Sequence, residues 1–110
     1  MIENSENMNL STIHFIGIGG IGLSAIAKLC LHNGYNVQGS DIKNSDTLKS
    51  LVKMGIKVFV GHNSNNINTK IEKVIYSSAV NSKNPEFIKA KNLNIPIYSR
   101  AQILAEVMQK

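Results

Sequence analysis

The chain has 110 residues, one cysteine, no tryptophan and a formal net charge of +5, a length that suits one domain burying roughly 65% of the surface its unfolded chain exposes. A lone cysteine excludes an intrachain disulfide, and the three histidines lack cysteine partners at zinc-ligand spacing, so no metal site is expected. The lysines are scattered from Lys28 to Lys110 without a dense run or an aromatic cluster, and no apolar span is long enough for a membrane helix, so neither nucleic acid nor membrane is an expected partner.

Residues 1–10 read as a flexible tail, polar and acidic where a signal peptide is basic and then apolar, which points to a cytoplasmic protein. Residues 11–110 form the domain. Ile13-His14-Phe15-Ile16 is a strand that breaks into Gly17-Ile18-Gly19-Gly20-Ile21-Gly22, the G-x-G-x-x-G pattern of a strand-turn-helix anion cradle. Gly17 lets the chain leave the strand sharply. Gly19 keeps side-chain atoms away from an approaching phosphate, Gly22 lets the helix pack closely on its strand, and the first helical amides face the anion. His14, inside the strand, is expected to be buried and hydrogen-bonded. The helix that follows presents Ile21, Leu23, Ala25, Ile26, Leu29 and Cys30 to the core and stops at Gly34.

Asn36 to Asp41 reads as a second strand, with Asp41 at its carboxyl end. An acid about 20 residues past the glycine turn is placed to accept hydrogen bonds from ribose hydroxyls, although a turn cap is the plainer role. Asn44-Ser45-Asp46 opens a second helix with Leu48, Leu51, Val52 and Met54 as its apolar stripe. Lys57 to Val60 is the third strand, ending at Gly61-His62, and Ser64 to Lys70 is a loop or a single helical turn. Val74-Ile75-Tyr76 is the fourth strand, followed by the small residues Ser77-Ser78-Ala79. Asn84-Pro85 opens a helix with Phe87, Ile88 and Leu93 inward, Ile95 to Tyr98 is the last strand, and Ser99 caps a helix bearing Ile103, Leu104, Val107 and Met108.

Strands alternating with helices predict an α/β, Rossmann-like five-stranded parallel sheet with helices on both faces. Strand one lies centrally beside strands two and four, and Gly17 to Gly22, Asp41, His62 and Ser77 to Ala79 fall along the carboxyl edge, where such sheets bind ligands.

Ile13 to Gly22, Gly39-Ser40-Asp41, Gly61-His62, Ser77 to Val80, Asn84-Pro85-Glu86, Ile95-Pro96-Ile97 and Arg100 to Glu106 together resemble the amino-terminal domain of the Mur ligases of peptidoglycan synthesis, in the branch that joins L-alanine to UDP-N-acetylmuramate. Leu23 and Val80 depart from the usual methionine and isoleucine by apolar exchanges. The resemblance implies a domain that holds the UDP part of UDP-N-acetylmuramate and carries no catalytic residue or metal. It implies the loop amides of Gly17, Gly19, Gly20, Ile21 and Gly22 for the diphosphate and Ser40, Asp41 and His62 for the uridine side, with Ser78 and Ala79 beside them. ATP and magnesium are expected only for the full-length enzyme, through central and carboxyl-terminal domains whose Gly-Thr-His-Gly-Lys-Thr type loop would follow Lys110. Two readings stay open, an NAD-binding domain of an oxidoreductase and a stand-alone nucleotide-binding module.

Overall fold

β-Branched runs separated by turn residues form five parallel strands, β1 (Thr12–Ile16), β2 (Asn36–Asp41), β3 (Lys57–Val60), β4 (Ile71–Tyr76) and β5 (Ile97–Ser99). Helices α1 (Ile21–His32), α2 (Asp46–Lys53), α3 (Pro85–Asn92) and α4 (Arg100–Met108) and a 3₁₀ turn at Ser64–Asn66 connect them or close the described chain. The computed structural model describes residues 11–108, with side chains through Glu106. The tail assigned to residues 1–10 lies outside the described residues, and the apolar roles of Val107 and Met108 lie outside the described side chains. The sheet order is β3-β2-β1-β4-β5, with Ile13 opposite Val37 and Ile16 opposite Tyr76, which is the Rossmann-like arrangement expected from the strand spacing.

Side chains alternate across each strand. Ile13, Phe15, Val37 and Ile75 point to one face, where they pack with Leu23, Ile26 and Ala27 of α1, Leu48 and Leu51 of α2 and Ile103 of α4. On the other face Ile16, Ile71 and Val74 meet Ala90 of α3, together with Ile67 and Ile95. His14, Gln38 and Ser40 stand among the residues that alternate with the first set, so this second face carries polar groups beneath α3.

The caps follow the local sequence. Ser45 accepts a hydrogen bond from Leu48 N–H at the start of α2, and Asn84 accepts one from Glu86 N–H at the start of α3, with Pro85 first in the helix. Ser99 and Gln102 form a reciprocal capping pair at α4.

The apolar faces of the helices differ from expectation in several places. Ile21 is 95% exposed, Ala25 and Leu29 also face solvent, and the inward face of α1 is Leu23, Ser24, Ile26 and Ala27. Cys30 is half-buried at the margin of the core. Ile21 is the first residue of α1. Val52, Met54 and Ile88 are exposed as well, because α2 and α3 have 8 residues each and bury only the positions directly over the sheet, Leu48 and Leu51 in one and Glu86 and Ala90 in the other.

Candidate functional site at the carboxyl edge of the sheet

Gly17 leaves β1 with φ +85°, a left-handed conformation that side chains strain, and its N–H and that of Ile18 both donate to the Ser40 carbonyl at 2.8 and 3.0 Å. A Cβ at Gly17 would lie 2.7 Å from Ser77 Oγ and 3.5 Å from Val80. The turn is therefore pinned between the ends of β2 and β4.

The amides are distributed differently from the expectation. Gly19 N–H donates to Asp41 Oδ2 at 2.8 Å, and Gly20 N–H donates to the Gly17 carbonyl at 3.0 Å. Both are engaged within the protein, so neither is an open donor for a phosphate in this conformation. The first bond of α1 runs from Ser24 N–H to the Gly20 carbonyl, which leaves the amides of Ile21, Gly22 and Leu23 as the donors at the open end of the helix. Gly20 stands at the N-cap without a side chain that could compete for them.

Two glycines also have partners other than those expected. A Cβ at Gly19 would meet Asp41 Oδ2 at 2.8 Å and Leu48 at 3.3 Å, so this position is kept bare for a carboxylate of the protein itself. A Cβ at Gly22 would meet Arg100 Cδ and a guanidinium nitrogen at 2.8 Å. Gly22 thus makes room for Arg100, the exposed first residue of α4, rather than for its own strand. A guanidinium beside the positive end of α1 raises the attraction of that corner for an anion.

Beneath the turn lies a polar cluster built on Glu86, which is 0% exposed. Its Oε1 accepts from His14 Nε2 at 2.6 Å and from the Ser40 hydroxyl at 2.7 Å, while Oε2 accepts from Asn63 N–H at 2.9 Å and Asn66 Nδ2 at 2.8 Å. Gln38 Nε2 donates to the Asn66 carbonyl at 3.0 Å, which fixes its amide orientation, and its other hydrogen points at His14 Nδ1, 2.8 Å away. His14 thus donates through Nε2 to Glu86 and faces the Gln38 amide with Nδ1. Burial pushes the Glu86 carboxyl up, but the hydrogen bond and charge attraction of His14, with hydrogen bonds from Ser40 and Asn66, outweigh it and hold the group below the ordinary glutamate value, so it stays ionised.

Ser40, expected at the ligand, is 0% exposed, and its hydroxyl lies between Glu86 and His62 Nδ1, 2.8 Å away. Its side chain supports the site from below and cannot line it. His62 sits above at 15% exposure and borders an open pocket of about 250 Å³ with Ile42, Ala79, Val80, Asn81, Lys83 and Asn84. Ala79 is in this wall, while the exposed Ser78 is not, and it is Ser77 that touches the glycine turn. Asp41 Oδ1 accepts only a long bond from Lys43 N–H at 3.3 Å, so the carboxylate keeps lone pairs for a further donor. Glu86, Arg100, Asn81 and Asn84 were not among the candidate residues, and only Asn84 and Glu86 carry a local signal, that of a helix start.

A second, largely apolar hollow of about 260 Å³ lies between α1 and α4, walled by Ile26, Cys30 and Ile103, and contains none of the candidate ligand-binding residues. Burial raises the Cys30 thiol there above its usual range. Among the described residues no group of three or more His, Cys, Asp or Glu could hold a metal ion, and no helix is long and apolar enough to cross a membrane.

Comparison with known proteins places this geometry. A UDP-N-acetylmuramate--L-alanine ligase from Rickettsia felis is 53% identical over 104 residues, 94% of this chain and 21% of the relative. The crystal structure of the UDP-N-acetylmuramate-alanine ligase from Thermotoga maritima superimposes with a TM-score of 0.85 at 38% identity, over 89% of this chain and 23% of that one. A UDP-N-acetylmuramate:L-alanyl-gamma-D-glutamyl-meso-diaminopimelate ligase from Neisseria meningitides aligns with a TM-score of 0.80 at 26% identity, over 88% of this chain and 31% of that one. The chain thus spans about a fifth of the length of the curated relatives it matches. Residues 12–110 match the family described as "Mur ligase family, catalytic domain", a stretch that takes in all five strands, the glycine turn and the Glu86 cluster, and the chain accordingly belongs to the Mur ligase family.

Proposed function

We propose that this domain holds the UDP part of UDP-N-acetylmuramate for a ligase that joins L-alanine to the muramic acid carboxylate. The observation that carries the reading is the convergence, on one sheet edge, of the open first-turn amides of α1, the Arg100 guanidinium against Gly22, and His62 in its pocket. The amides of Ile21, Gly22 and Leu23 and Arg100 take the diphosphate. Asp41, still able to accept, takes a ribose hydroxyl, and the pocket at His62 and Ala79 takes the base. The names of the similar ligases supply the sugar nucleotide as the substrate.

Activation of the carboxylate by ATP and magnesium, and capture of the amino acid, belong in this reading to the remaining domains of a cytoplasmic enzyme. The acids described here are engaged in hydrogen bonds or scattered on the surface, and none is assigned to magnesium. Hydrogen bonds to a charged diphosphate contribute roughly 1.5–3 kcal/mol each, while immobilising a ligand costs on the order of 4–15 kcal/mol. Calorimetry on the 110-residue chain is therefore expected to give a UDP-N-acetylmuramate dissociation constant in roughly the micromolar to millimolar range, with no ATP hydrolysis. Nanomolar affinity or ATP turnover by pure protein would contradict the division of labour, and binding of NAD in place of the sugar nucleotide would favour an oxidoreductase domain.

A further inference from the structure

The hollow between α1 and α4 lies on the sheet face opposite the Glu86 cluster, walled by Ile13, Ile26, Leu29, Ile75 and Ile103. Leu29 is eight positions after Ile21, about 12 Å along α1, so the hollow is apart from the carboxyl-edge site. Its volume of about 260 Å³ exceeds the ~150 Å³ of an apolar cavity that holds benzene and falls short of the roughly 300–1,000 Å³ of drug-sized sites. One small molecule is the occupant that this space suits.

A single cation enters this apolar surface. The β1 to β4 register shifts between Thr12 and Ile13, so Ile71 and Val74 share one face although three positions apart, and Lys73 stands opposite Ile13 on the other face with Ile75. Lys73 is half-buried, its ammonium 5.7 Å from the centre of the Tyr98 ring, with no hydrogen bond or ion pair among the described residues. The Leu29, Cys30 and Leu31 carbonyls that end α1 are already taken by the N–H groups of Asn33, Gly34 and Tyr35. Asn33, Tyr35 and the exposed Glu106 complete the border, and Glu106 pairs with no cation among the described residues. The Lys73 charge is felt at Cys30, where it pulls the thiol down against the larger upward effect of burial. Cation and thiol thus face the same space.

We propose that this hollow is a second ligand site, taking a small carboxylate with an aliphatic chain, whose head pairs with Lys73 and whose chain lies along Ile13, Ile26, Ile75 and Ile103. The carboxylate supplies the missing counter-charge through a charge-assisted hydrogen bond. Each methylene covered by the isoleucine walls adds apolar burial. The site is independent of the sugar nucleotide, and its failure would leave that reading untouched.

Cys30 is the single cysteine of the chain, so its alkylation by iodoacetamide reports occupancy. With the 110-residue chain at about pH 9, where part of a thiol is ionised, octanoate is expected to slow alkylation with saturation below about 1 mM. Octanamide, of the same shape and uncharged, should need about tenfold or more for equal protection. Lys73→Met keeps a straight side chain and is expected to erase the difference between the two probes, each rate taken relative to the ligand-free variant, with an unchanged urea midpoint as the check on folding. Equal protection by octanoate and octanamide in the wild type, the absence of saturation below about 1 mM, or an octanoate preference that survives in Lys73→Met overturns the assignment.

Discussion

Replacing Glu86 by alanine is expected to remove about 3–5 kcal/mol of stability, the usual consequence of deleting one member of a buried polar set whose partners stay behind. His14, Ser40, Asn63 and Asn66 would each keep a donor aimed at an empty site. These donors come from β1, β2 and the segment after β3, and Glu86 itself opens α3, so one carboxylate ties one face of the sheet together. The thermal midpoint should fall by roughly 12 °C or more for a domain of this size. Glu86→Gln separates charge from volume. It fills the same space, but its NH₂ must face donors on one side, so it too should be strongly destabilised. The same carboxylate gives the wild type an acid-sensitive term. Its folded value lies below the unfolded one of about 4.3, so its contribution is complete above that pH and disappears as the pH falls through the folded value. Urea denaturation between about pH 6 and pH 3 should show this loss in the wild type and a flatter profile in Glu86→Gln. A Glu86→Ala protein as stable as the wild type would mean that the cluster does not hold the fold.

Gly39→Ala is expected to cost about 3 kcal/mol, at the upper end of overpacking effects. The added Cβ would lie 2.6 Å from Ile18 Cδ1, 2.7 Å from Ile18 Cβ and 2.7 Å from the Phe15 carbonyl. Ile18 is fully buried and Phe15 belongs to the central strand, so neither can withdraw without opening the turn. The sign is informative, because alanine in place of glycine within a regular element ordinarily stabilises by roughly 0.5–1 kcal/mol. Chemical denaturation that shows equal or greater stability in Gly39→Ala would contradict the close crossing of the glycine turn over β2. Gly22→Ala is a useful contrast, since the atoms it meets belong to the flexible, exposed end of Arg100.

What the sequence made legible was local. The bounds of β2 and β3 coincide with the expected ones, the Asn84-Pro85 start and the Ser99 cap are where short-range turn chemistry puts them, and the glycine turn brings Asp41 and His62 to one edge. The helix faces were less legible, because two turns of α2 or α3 offer too few positions for a spacing pattern to separate Val52 or Ile88 from the buried residues. Long-range polar pairing was not legible at all. Glu86 resembles an ordinary acid in the first turn of a helix, and its partner His14 stands 72 positions earlier. The engagement of the Gly19 amide by Asp41 was hidden for the same reason, since the two residues are 22 positions apart and each has a sufficient role when taken alone.

The central claim, that the carboxyl edge of this sheet grips a UDP-sugar through the first turn of α1 and the His62 pocket, is tested most directly by an amide NMR titration with UDP-N-acetylmuramate and, separately, NAD. The account predicts saturable shifts at Ile21, Gly22, Leu23, Asp41 and His62 with the UDP-sugar and none there with NAD. Shifts of those amides by NAD alone, or UDP-sugar shifts confined to the apolar hollow at Ile26, Cys30 and Ile103, would contradict it.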